Sequence, residues 1–235
     1  MKQDNVLFHL DIFSNMVIDI LTIRIREKII TCVILERSVK RKELEMRLQR
    51  VAPFDDPSAA LEQYPTPSTI ASDILFSAYA NGDVCDKTVN DLGCGTGIFS
   101  IGAKLLGANV VRGYDISRSA LGVARKNIEL LNVDVELMEC DVTEVNDRAD
   151  TTFMNPPFGC QNRRADRPFL DKAMELSDSI YSIHMADTLD FLNEYIESKG
   201  REIVAYATYK YNIPHTFTFH RKEKKEVDIV VVNVR

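Results

Sequence analysis

From Lys87 onward, the chain alternates short β-rich runs with longer amphipathic stretches of helical period. The first run, residues 88–92, leads into a glycine-rich loop, and Ile98, Ile101 and Leu105 then fall on one helical face. Further strands are predicted at 109–115, 135–140, 151–154 and 180–184, and further helices near 119–131, 169–176 and 188–199. This alternation predicts βαβ units and a parallel sheet, because each helix carries the chain back to the start of the next strand.

The last two β-rich runs, residues 202–209 and 227–234, have no helix between them. The final strand is therefore expected to insert antiparallel into an otherwise parallel sheet. The whole pattern predicts an α/β fold with a mostly parallel seven-stranded sheet and an antiparallel last strand.

Two helices are predicted ahead of this alternation. Leu44 and Leu48 lie four residues apart among charged residues, which is typical of a short amphipathic helix. Thr66 and Pro67 then supply an N-cap and a first-turn proline for a helix that continues to Ala80.

The first residues of the chain are apolar without a regular period. Residues 6–35 are rich in Val, Ile, Leu and Phe, but charged residues such as Asp11, Asp19 and Arg24 interrupt them. A membrane-spanning helix needs about 20 consecutive apolar residues, so no membrane span is expected. An acid within the first apolar run also disfavours a signal peptide.

This pattern divides the chain into two expected parts. Residues 1–38 are interpreted as an N-terminal extension of doubtful role, and residues 39–235 as the functional domain. The extension is either an additional helix packed on the sheet or a segment outside the natural product. In the second case the natural chain begins at or near Val39, since valine can be encoded by a GUG start codon.

Composition narrows the class of protein. The 235 residues are 45% hydrophobic and 27% charged, which is typical of a globular chain able to bury its own core. The five cysteines are odd in number and never spaced as CxxC, so we expect no disulfide framework, no metal and a cytoplasmic location. The net charge of −6 disfavours general nucleic-acid binding but allows a local basic surface.

The loop after the first strand carries a Gly-X-Gly-X-Gly motif at Gly93, Gly95 and Gly97, preceded by Asp91. Glycines let a ligand approach the backbone closely, and ligands of open parallel sheets bind at this edge. A dinucleotide site would need GxGxxG spacing, and Asp91 would repel a pyrophosphate but suits a sulfonium or ammonium group. A glycine turn without any ligand is the other alternative.

Two further carboxylates follow the next two strands. Asp115 ends the second strand, 22 residues after Gly93, where it can accept hydrogen bonds from both hydroxyls of a ribose. Asp141 follows the third strand and is positioned to meet an adenine amine. Together with the glycine loop, they are similar to the cofactor site of the class I S-adenosylmethionine-dependent methyltransferases.

The tetrapeptide Asn155-Pro156-Pro157-Phe158 ends the fourth strand, next to the glycine loop in such a sheet. The Asn155 side-chain oxygen and the Pro156 carbonyl can accept the two N–H groups of an exocyclic amine and favour its partly positive transition state. Pro157 stiffens the loop, and Phe158 can stack on a purine. A rigid turn without a catalytic role is the alternative.

These motifs resemble the small methyltransferase-like family that N6-methylates one adenosine in small-subunit ribosomal RNA. The resemblance begins near Val39 and is carried by Lys42-Glu43-Leu44-Glu45, Leu61-Glu62-Gln63-Tyr64-Pro65-Thr66, residues 91–100 and 155–159, Tyr181-Ser182-Ile183-His184, Phe219-His220-Arg221-Lys222 and Val227-Asp228. It implies a Rossmann-like class I fold with S-adenosylmethionine as the cofactor. The implied cofactor contacts are Gln63, Thr66, Gly93, Thr96, Ile98, Asp115, Asp141 and Val142.

The resemblance also implies a partner, since the family works with a small zinc-binding activator protein added along an edge strand. The predicted edge strand here is Val133 to Met138, whose apolar residues alternate. The alternative is an edge without a partner, blunted by the charges of Asp134 and Glu136.

Basic residues near the tetrapeptide are candidates for contacts with RNA phosphates. Arg163, Arg164 and Arg167 follow it directly, and Arg221 with Lys222 forms a second cluster. A solvated charged face is the alternative for both clusters.

The resulting hypothesis is S-adenosylmethionine-dependent N6-methylation of an adenosine in structured RNA, with small-subunit ribosomal RNA as the expected substrate. One alternative is a glutamine N5-methyltransferase of a translation release factor, which usually has tyrosine where this chain has Phe158. Another is a catalytically silent domain that keeps the fold for RNA or protein binding. The intact Asn155 and Asp115 disfavour the silent domain.

Overall fold

A computed structural model describes residues 20–25, 28–33, 40–159, 164–213 and 225–235. The chain forms two compact units, Met1–Ser38 and Val39–Arg235. In the first unit, strands β1 (Ile20–Ile25) and β2 (Lys28–Val33) form an antiparallel hairpin in which Ile20 lies opposite Val33. The described part of this unit is thus a hairpin and not the additional helix that the sequence left open.

The second unit alternates helices and strands as the hydrophobic pattern predicts. Its elements are α1 (Arg41–Leu48), α2 (Ser68–Ala80), β3 (Thr88–Leu92), α3 (Ile98–Leu105), β4 (Val110–Asp115), α4 (Arg118–Leu131), β5 (Glu136–Glu139), β6 (Ala149–Met154), α5 (Arg167–Leu176), β7 (Ser177–Met185), α6 (Leu189–Ser198), β8 (Ile203–Ile213) and β9 (Lys225–Val234). Short 3₁₀ turns lie at Val142–Glu144 and Ala186–Thr188.

Seven of the described strands form one sheet in the order β5-β4-β3-β6-β7-β9-β8. The pairs β3–β4, β4–β5, β3–β6 and β6–β7 are parallel. Strand β9 lies between β7 and β8 and is antiparallel to both. The predicted fold class and the antiparallel insertion of the last strand are therefore confirmed.

Two groups of buried side chains cover opposite faces of the sheet. One contains Leu44 of α1, Leu75 of α2 and Phe153 of β6. The other contains Met154 of β6 and Leu170 of α5. Successive residues of a strand point to opposite faces, so Phe153 and Met154 anchor helices on the two sides. None of the helices in the described ranges has the length and apolar character needed to cross a bilayer.

Some predicted boundaries need correction. The predicted edge strand is short, because β5 comprises only Glu136–Glu139 and begins after Val133. The N-cap of α2 is Pro67, without a side-chain cap, and not Thr66. The Thr66 hydroxyl instead accepts a hydrogen bond from Asn155 Nδ2 at 3.1 Å, which replaces a local capping contact by a long-range one.

The edge of the sheet opposite to the carboxyl ends of the parallel strands is fixed by the buried carboxylate of Asp83. Arg235 donates to both carboxylate oxygens, with Nη1 3.1 Å from Oδ1 and Nη2 2.8 Å from Oδ2. Tyr181 and Ser179 of β7 donate to the same carboxylate at 2.6 and 3.2 Å. This network joins the end of β9 to the loop that precedes β3.

We predict that Arg235→Ala lowers the free energy of unfolding by about 2 kcal/mol, because it removes two charge-assisted hydrogen bonds from a buried carboxylate. Urea unfolding followed by circular dichroism measures this change. The control is Lys210→Ala, which breaks an exposed pair with Glu226 and is expected to change stability little. Equal stabilities of the two variants would contradict the prediction.

Candidate active site

A cavity of about 450 Å³ lies at the carboxyl ends of β3, β4 and β6. This is the edge at which open α/β sheets bind ligands. Among the residues singled out in the sequence, those that line it are Gln63, Thr66, Gly93, Gly95, Thr96, Ile98, Asp115, Asp141, Val142, Asn155, Pro157 and Arg164. The fold therefore brings most of the predicted cofactor residues together with the tetrapeptide around one cleft.

The glycine loop offers bare backbone to this cavity. Gly93, Gly95 and Gly97 have φ angles of 68°, 54° and 87°, in the left-handed region that favours glycine. A Cβ atom on Gly95 would lie 2.8 Å from Phe54 Cζ, and one on Gly93 would lie 3.0 Å from Phe169 Cε1. A side chain at Gly95 would collide with an aromatic ring and one at Gly93 would crowd another, whereas Gly97 meets only ordinary contacts and does not line the cavity.

Asp115 fixes the loop to the end of β4. Its Oδ2 accepts a hydrogen bond from Gly95 N at 2.8 Å, and its Oδ1 accepts one from Ser117 N at 2.8 Å. Burial raises the pKa of Asp115 from its ordinary value, and the two backbone hydrogen bonds oppose that shift. Each carboxylate oxygen keeps lone-pair capacity for a ligand hydroxyl.

Asp91 is fully buried beneath the loop, and its side chain is not part of the cavity lining. Its Oδ2 accepts hydrogen bonds from Ser100 N at 2.8 Å and Ser100 Oγ at 2.6 Å, which tie β3 to α3. Burial raises the pKa of Asp91 to about 7, although the Ser100 hydrogen bonds act to lower it. The structure thus directs this carboxylate to α3 rather than to the cleft.

Asp141 lies at the wall formed by the loop after β5. Its Oδ1 accepts hydrogen bonds from Thr143 N at 2.8 Å and Thr143 Oγ1 at 2.6 Å. These bonds lower the pKa of Asp141 and cap the 3₁₀ turn Val142–Glu144. The carboxylate is therefore ionised and held in one orientation beside the cavity.

Asn155 lines the cavity and has an unpaired acceptor. Its Nδ2 is occupied by Thr66, as described above. Its Oδ1 is buried and has no hydrogen-bond partner among the described residues. A buried polar atom without a partner is costly, so its retention indicates a ligand that donates a hydrogen bond there.

The remaining tetrapeptide residues take different positions. Pro157 lines the cavity, whereas Pro156 is buried. Phe158 packs against the core and borders a small neighbouring void with Ile183 and Tyr211. The same void is lined by Thr66 and Asn155, and Phe158 is only partly buried, so its stacking on a purine stays a prediction.

A buried histidine supports the chain that follows the tetrapeptide. His184 Nε2 lies 2.6 Å from Ser182 Oγ, and His184 Nδ1 lies 3.6 Å from Asp166 Oδ2. Burial acts to raise the pKa of Asp166, but the hydrogen bond and charge of His184 hold it below its ordinary value. Since Asp166 is the N-cap of α5, this pair fixes where the loop re-enters regular structure.

The predicted basic residues separate in the structure. Arg164 is exposed at the cavity and has a φ of 70°. The Arg167 guanidinium lies over the rings of Phe191 and Tyr195, 4.9 and 5.3 Å from their centroids. Arg167 therefore packs on α6 instead of pointing into the cleft. Arg163, Arg221 and Lys222 lie outside the described residues.

Two aromatic residues of the cavity were missed in the sequence. Phe54 and Phe169 cover the glycine loop, as the positions of their rings show. Phe54 lies in an irregular segment without a motif, and Phe169 resembles an ordinary core residue of α5. The one available sequence signal was the position of Phe54 between two prolines, which could have suggested an aromatic cap over a ligand.

Comparison with known proteins identifies the family. The model of the family described as "Methyltransferase small domain" matches residues 69–176. The rRNA N6-adenosine methyltransferase METTL5 of Danio rerio is 39% identical over 207 residues, which cover 84% of this chain and 98% of that protein. This chain belongs to the rRNA N6-adenosine methyltransferase family. The resemblance inferred from the motifs is thereby confirmed.

Solved structures agree with membership of the rRNA N6-adenosine methyltransferase family. The crystal structure of a candidate RNA methyltransferase from Pyrococcus horikoshii is 40% identical with a TM-score of 0.78, covering 83% of this chain and 97% of that one. A candidate protein N5-glutamine methyltransferase from Methanocaldococcus jannaschii is 38% identical over 77 residues, 32% of this chain and 39% of its own length. Likeness to the glutamine enzyme is therefore local.

We predict that the pH dependence of stability contains a contribution from Asp91. A carboxyl group whose pKa is raised on folding stabilises the protein fully below the unfolded pKa near 4 and loses that contribution as pH rises to about 7. Relative to Asp91→Asn, the unaltered protein should therefore lose at least about 1 kcal/mol between pH 5 and pH 8. Urea unfolding of both proteins at each pH measures the difference.

Taking the difference between the free energies of unfolding of the two proteins removes the contributions of other titrating groups, because these groups behave alike in both. Ser117→Ala, in the next βα loop, serves as a control that changes a capping side chain without changing charge. A constant difference between Asp91→Asn and the unaltered protein across this range would show that Asp91 titrates normally.

Proposed function

We propose that this protein transfers the methyl group of S-adenosylmethionine to N6 of an adenosine in structured RNA, with small-subunit ribosomal RNA as its substrate. The observation that carries this proposal is the buried, unpaired Oδ1 of Asn155 in the wall of the cavity. Family membership supplies the reaction class, and the METTL5 protein of Danio rerio is named for rRNA.

The residues of the cleft fit this cofactor. A bare glycine backbone beneath Phe54 leaves space that a single Cβ would fill. Asp115 would hold the ribose hydroxyls with the lone pairs that Gly95 and Ser117 leave free, and Asp141 would meet the adenine amine. When bound, S-adenosylmethionine supplies an electrophilic methyl group on a positively charged sulfur. An acidic cleft with few cations suits that charge.

Asn155 would recognise the substrate amine. The hydrogen bond from Asn155 Nδ2 to Thr66 fixes the amide, so that Oδ1 would serve as the acceptor for a substrate donor. The exocyclic amine of adenine is a poor nucleophile because its lone pair is delocalised into the ring. An acceptor that strengthens as the nitrogen becomes pyramidal and partly positive lowers the barrier by differential binding, and no side-chain base is needed.

The target base would have to leave its stack to reach this depth, since the unpaired oxygen of Asn155 is buried. Arg164, exposed at the cavity, is placed to contact a phosphate beside the extruded nucleotide. The position of Arg167 on the α6 rings assigns it a packing role. The RNA contact therefore rests on Arg164 within the described part of the chain.

An activator protein and a cytoplasmic location complete the proposal. Strand β5 ends the sheet order, so a small zinc-binding partner could add a strand there. The strand is short, so it offers few backbone groups to such a partner. Its Glu136 side chain is already paired with Arg112. Three cysteines whose side chains are described, Cys85, Cys94 and Cys140, are free thiols, which fits a reducing compartment.

The proposed function is tested by incubating the protein with S-adenosylmethionine and unmodified ribosomal RNA, with and without a candidate activator. Mass spectrometry of the digested nucleosides should detect N6-methyladenosine. A parallel incubation with translation release factor tests the glutamine alternative. Methylation of the release factor alone would overturn the proposal, and so would cofactor binding without methylation of either substrate, which is expected of a silent domain.

We predict that Asn155→Ala abolishes methyl transfer while cofactor affinity changes less than about threefold, because the unpaired oxygen of Asn155 would contact the substrate amine and not the cofactor. Asp115→Ala is the matched carboxylate control. It should weaken cofactor binding at least about tenfold, the consequence of losing a charged hydrogen bond. Titration calorimetry with S-adenosylhomocysteine and single-turnover methylation separate the two effects. Full activity of Asn155→Ala would remove Asn155 from the catalytic role.

We predict that Arg164→Glu lowers RNA affinity and reduces the salt dependence of binding by about one ion, since each phosphate contact releases a counterion. Fluorescence anisotropy over a series of salt concentrations gives the slope. Lys126→Glu, an exposed charge on α4 paired with Asp55, is the control with the same charge change. Identical slopes for both variants would show that Arg164 is a solvated surface charge that makes no phosphate contact.

A further inference from the structure

A buried asparagine of α4 joins two walls of the cavity. Asn127 is 2% exposed and uses all three of its polar side-chain groups. Its Oδ1 accepts a hydrogen bond from Ala52 N at 2.9 Å, and its Nδ2 donates to Ala52 O at 3.2 Å and to Thr96 O at 3.0 Å. One side chain therefore holds both backbone polar groups of Ala52 in one segment and a carbonyl of another.

The first of these segments is the irregular stretch between α1 and α2. We call residues 52–66 the cap segment. It begins at Ala52 and brings Phe54, Gln63 and Thr66 to the cavity. Thr66 accepts a hydrogen bond from Asn155, so the cap segment runs from the glycine loop to the tetrapeptide Asn155-Pro156-Pro157-Phe158.

The second segment is the glycine loop itself, which contains Thr96. Phe54 packs on Gly95 so closely that a Cβ there would lie 2.8 Å from the ring. Lys126, next to Asn127, pairs with Asp55 of the cap segment at 3.7 Å, but both side chains are about three-quarters exposed. An exposed pair contributes little, so the buried amide of Asn127 provides the stronger attachment.

We propose that Asn127 is a positioning residue for cofactor binding, which fixes the cap segment over the glycine loop. Asn127 is not part of the cavity lining and would act through Ala52 and Thr96. Without the Asn127 side chain, Phe54 would no longer be held above Gly95. The cap segment would then have to become ordered when the cofactor binds. That ordering opposes binding, so affinity falls although the contacts to the cofactor are unchanged. This inference rests on the proposed function.

The chemistry of the site favours asparagine over related residues. Aspartate would keep the acceptor for Ala52 N but place an oxygen against the carbonyls of Ala52 and Thr96. Leucine would fill the volume and leave all three backbone groups without this partner. Because a terminal amide offers one acceptor and two donors, it matches a neighbouring N–H and two carbonyls.

The experiment compares Asn127→Ala with a change on the opposite side of the contact. Ala52→Pro removes the backbone N–H that donates a hydrogen bond to Asn127 Oδ1, and it leaves α4 intact. The double variant tests whether the two changes act through one contact. Glu129→Ala, on the exposed face of the same helix, is the control. Binding of S-adenosylhomocysteine is measured by titration calorimetry and local opening by hydrogen exchange.

We expect Asn127→Ala to weaken binding at least about tenfold, Ala52→Pro to weaken it by a smaller factor, and the double variant to be no weaker than Asn127→Ala. Amide exchange should accelerate in residues 52–66 and stay unchanged in β6 and β7. The KM for S-adenosylmethionine should rise while the KM for RNA stays constant. Ala52→Pro carries the test if Asn127→Ala does not fold, since it changes only the cap segment.

Two outcomes overturn the inference in distinguishable ways. If the unaltered protein fails to bind S-adenosylhomocysteine, the proposed function is wrong, and the cofactor role of Asn127 is wrong with it. If the unaltered protein binds but the variants bind as tightly, or exchange accelerates equally throughout the sheet, only the inference about Asn127 is wrong. Asn127 would then serve general stability.

Discussion

The parallel pairing of β3 with β6 is the constraint on which the site depends. Leu92 lies opposite Met154, so the residues that follow them, Gly93 and Asn155, leave the sheet side by side. One strand continues into the bare backbone of the glycine loop and the other into Asn155, whose side-chain oxygen is unpaired. A shift of this register by one residue would turn one strand over relative to the other and displace the two loops, because side chains alternate between the faces.

Much of the fold could be predicted because its signals are local. Period-two and helical runs identified the strands and helices of residues 39–235, and the missing helix before β9 revealed its antiparallel insertion. Side-chain directions at the loops were harder to predict. The sequence assigned Asp91 to the cofactor, whereas Asp91 contacts Ser100. Direction there depends on register and on packing partners distant in sequence.

The contacts that shape the cleft from a distance left no sequence signal. Phe54 over Gly95 and Asn127 against Ala52 join residues separated by tens of positions, and neither belongs to a motif. The cleft also holds a group that weakens the fold, namely the unpaired oxygen of Asn155. Such costs concentrate where a ligand, rather than the protein, completes the pairing.

Because β9 lies between β7 and β8, it determines when β8 can join the sheet. The chain passes through β8 before β9, yet β8 pairs only with β9 among the described strands. During synthesis β8 therefore emerges before its native partner strand, and Tyr211, which is buried in the folded protein, stays in water until β9 has inserted beside β7. Pairing at this side of the sheet must therefore wait for β9, which leaves a newly made β8 open to chaperones and to aggregation until β9 has been made.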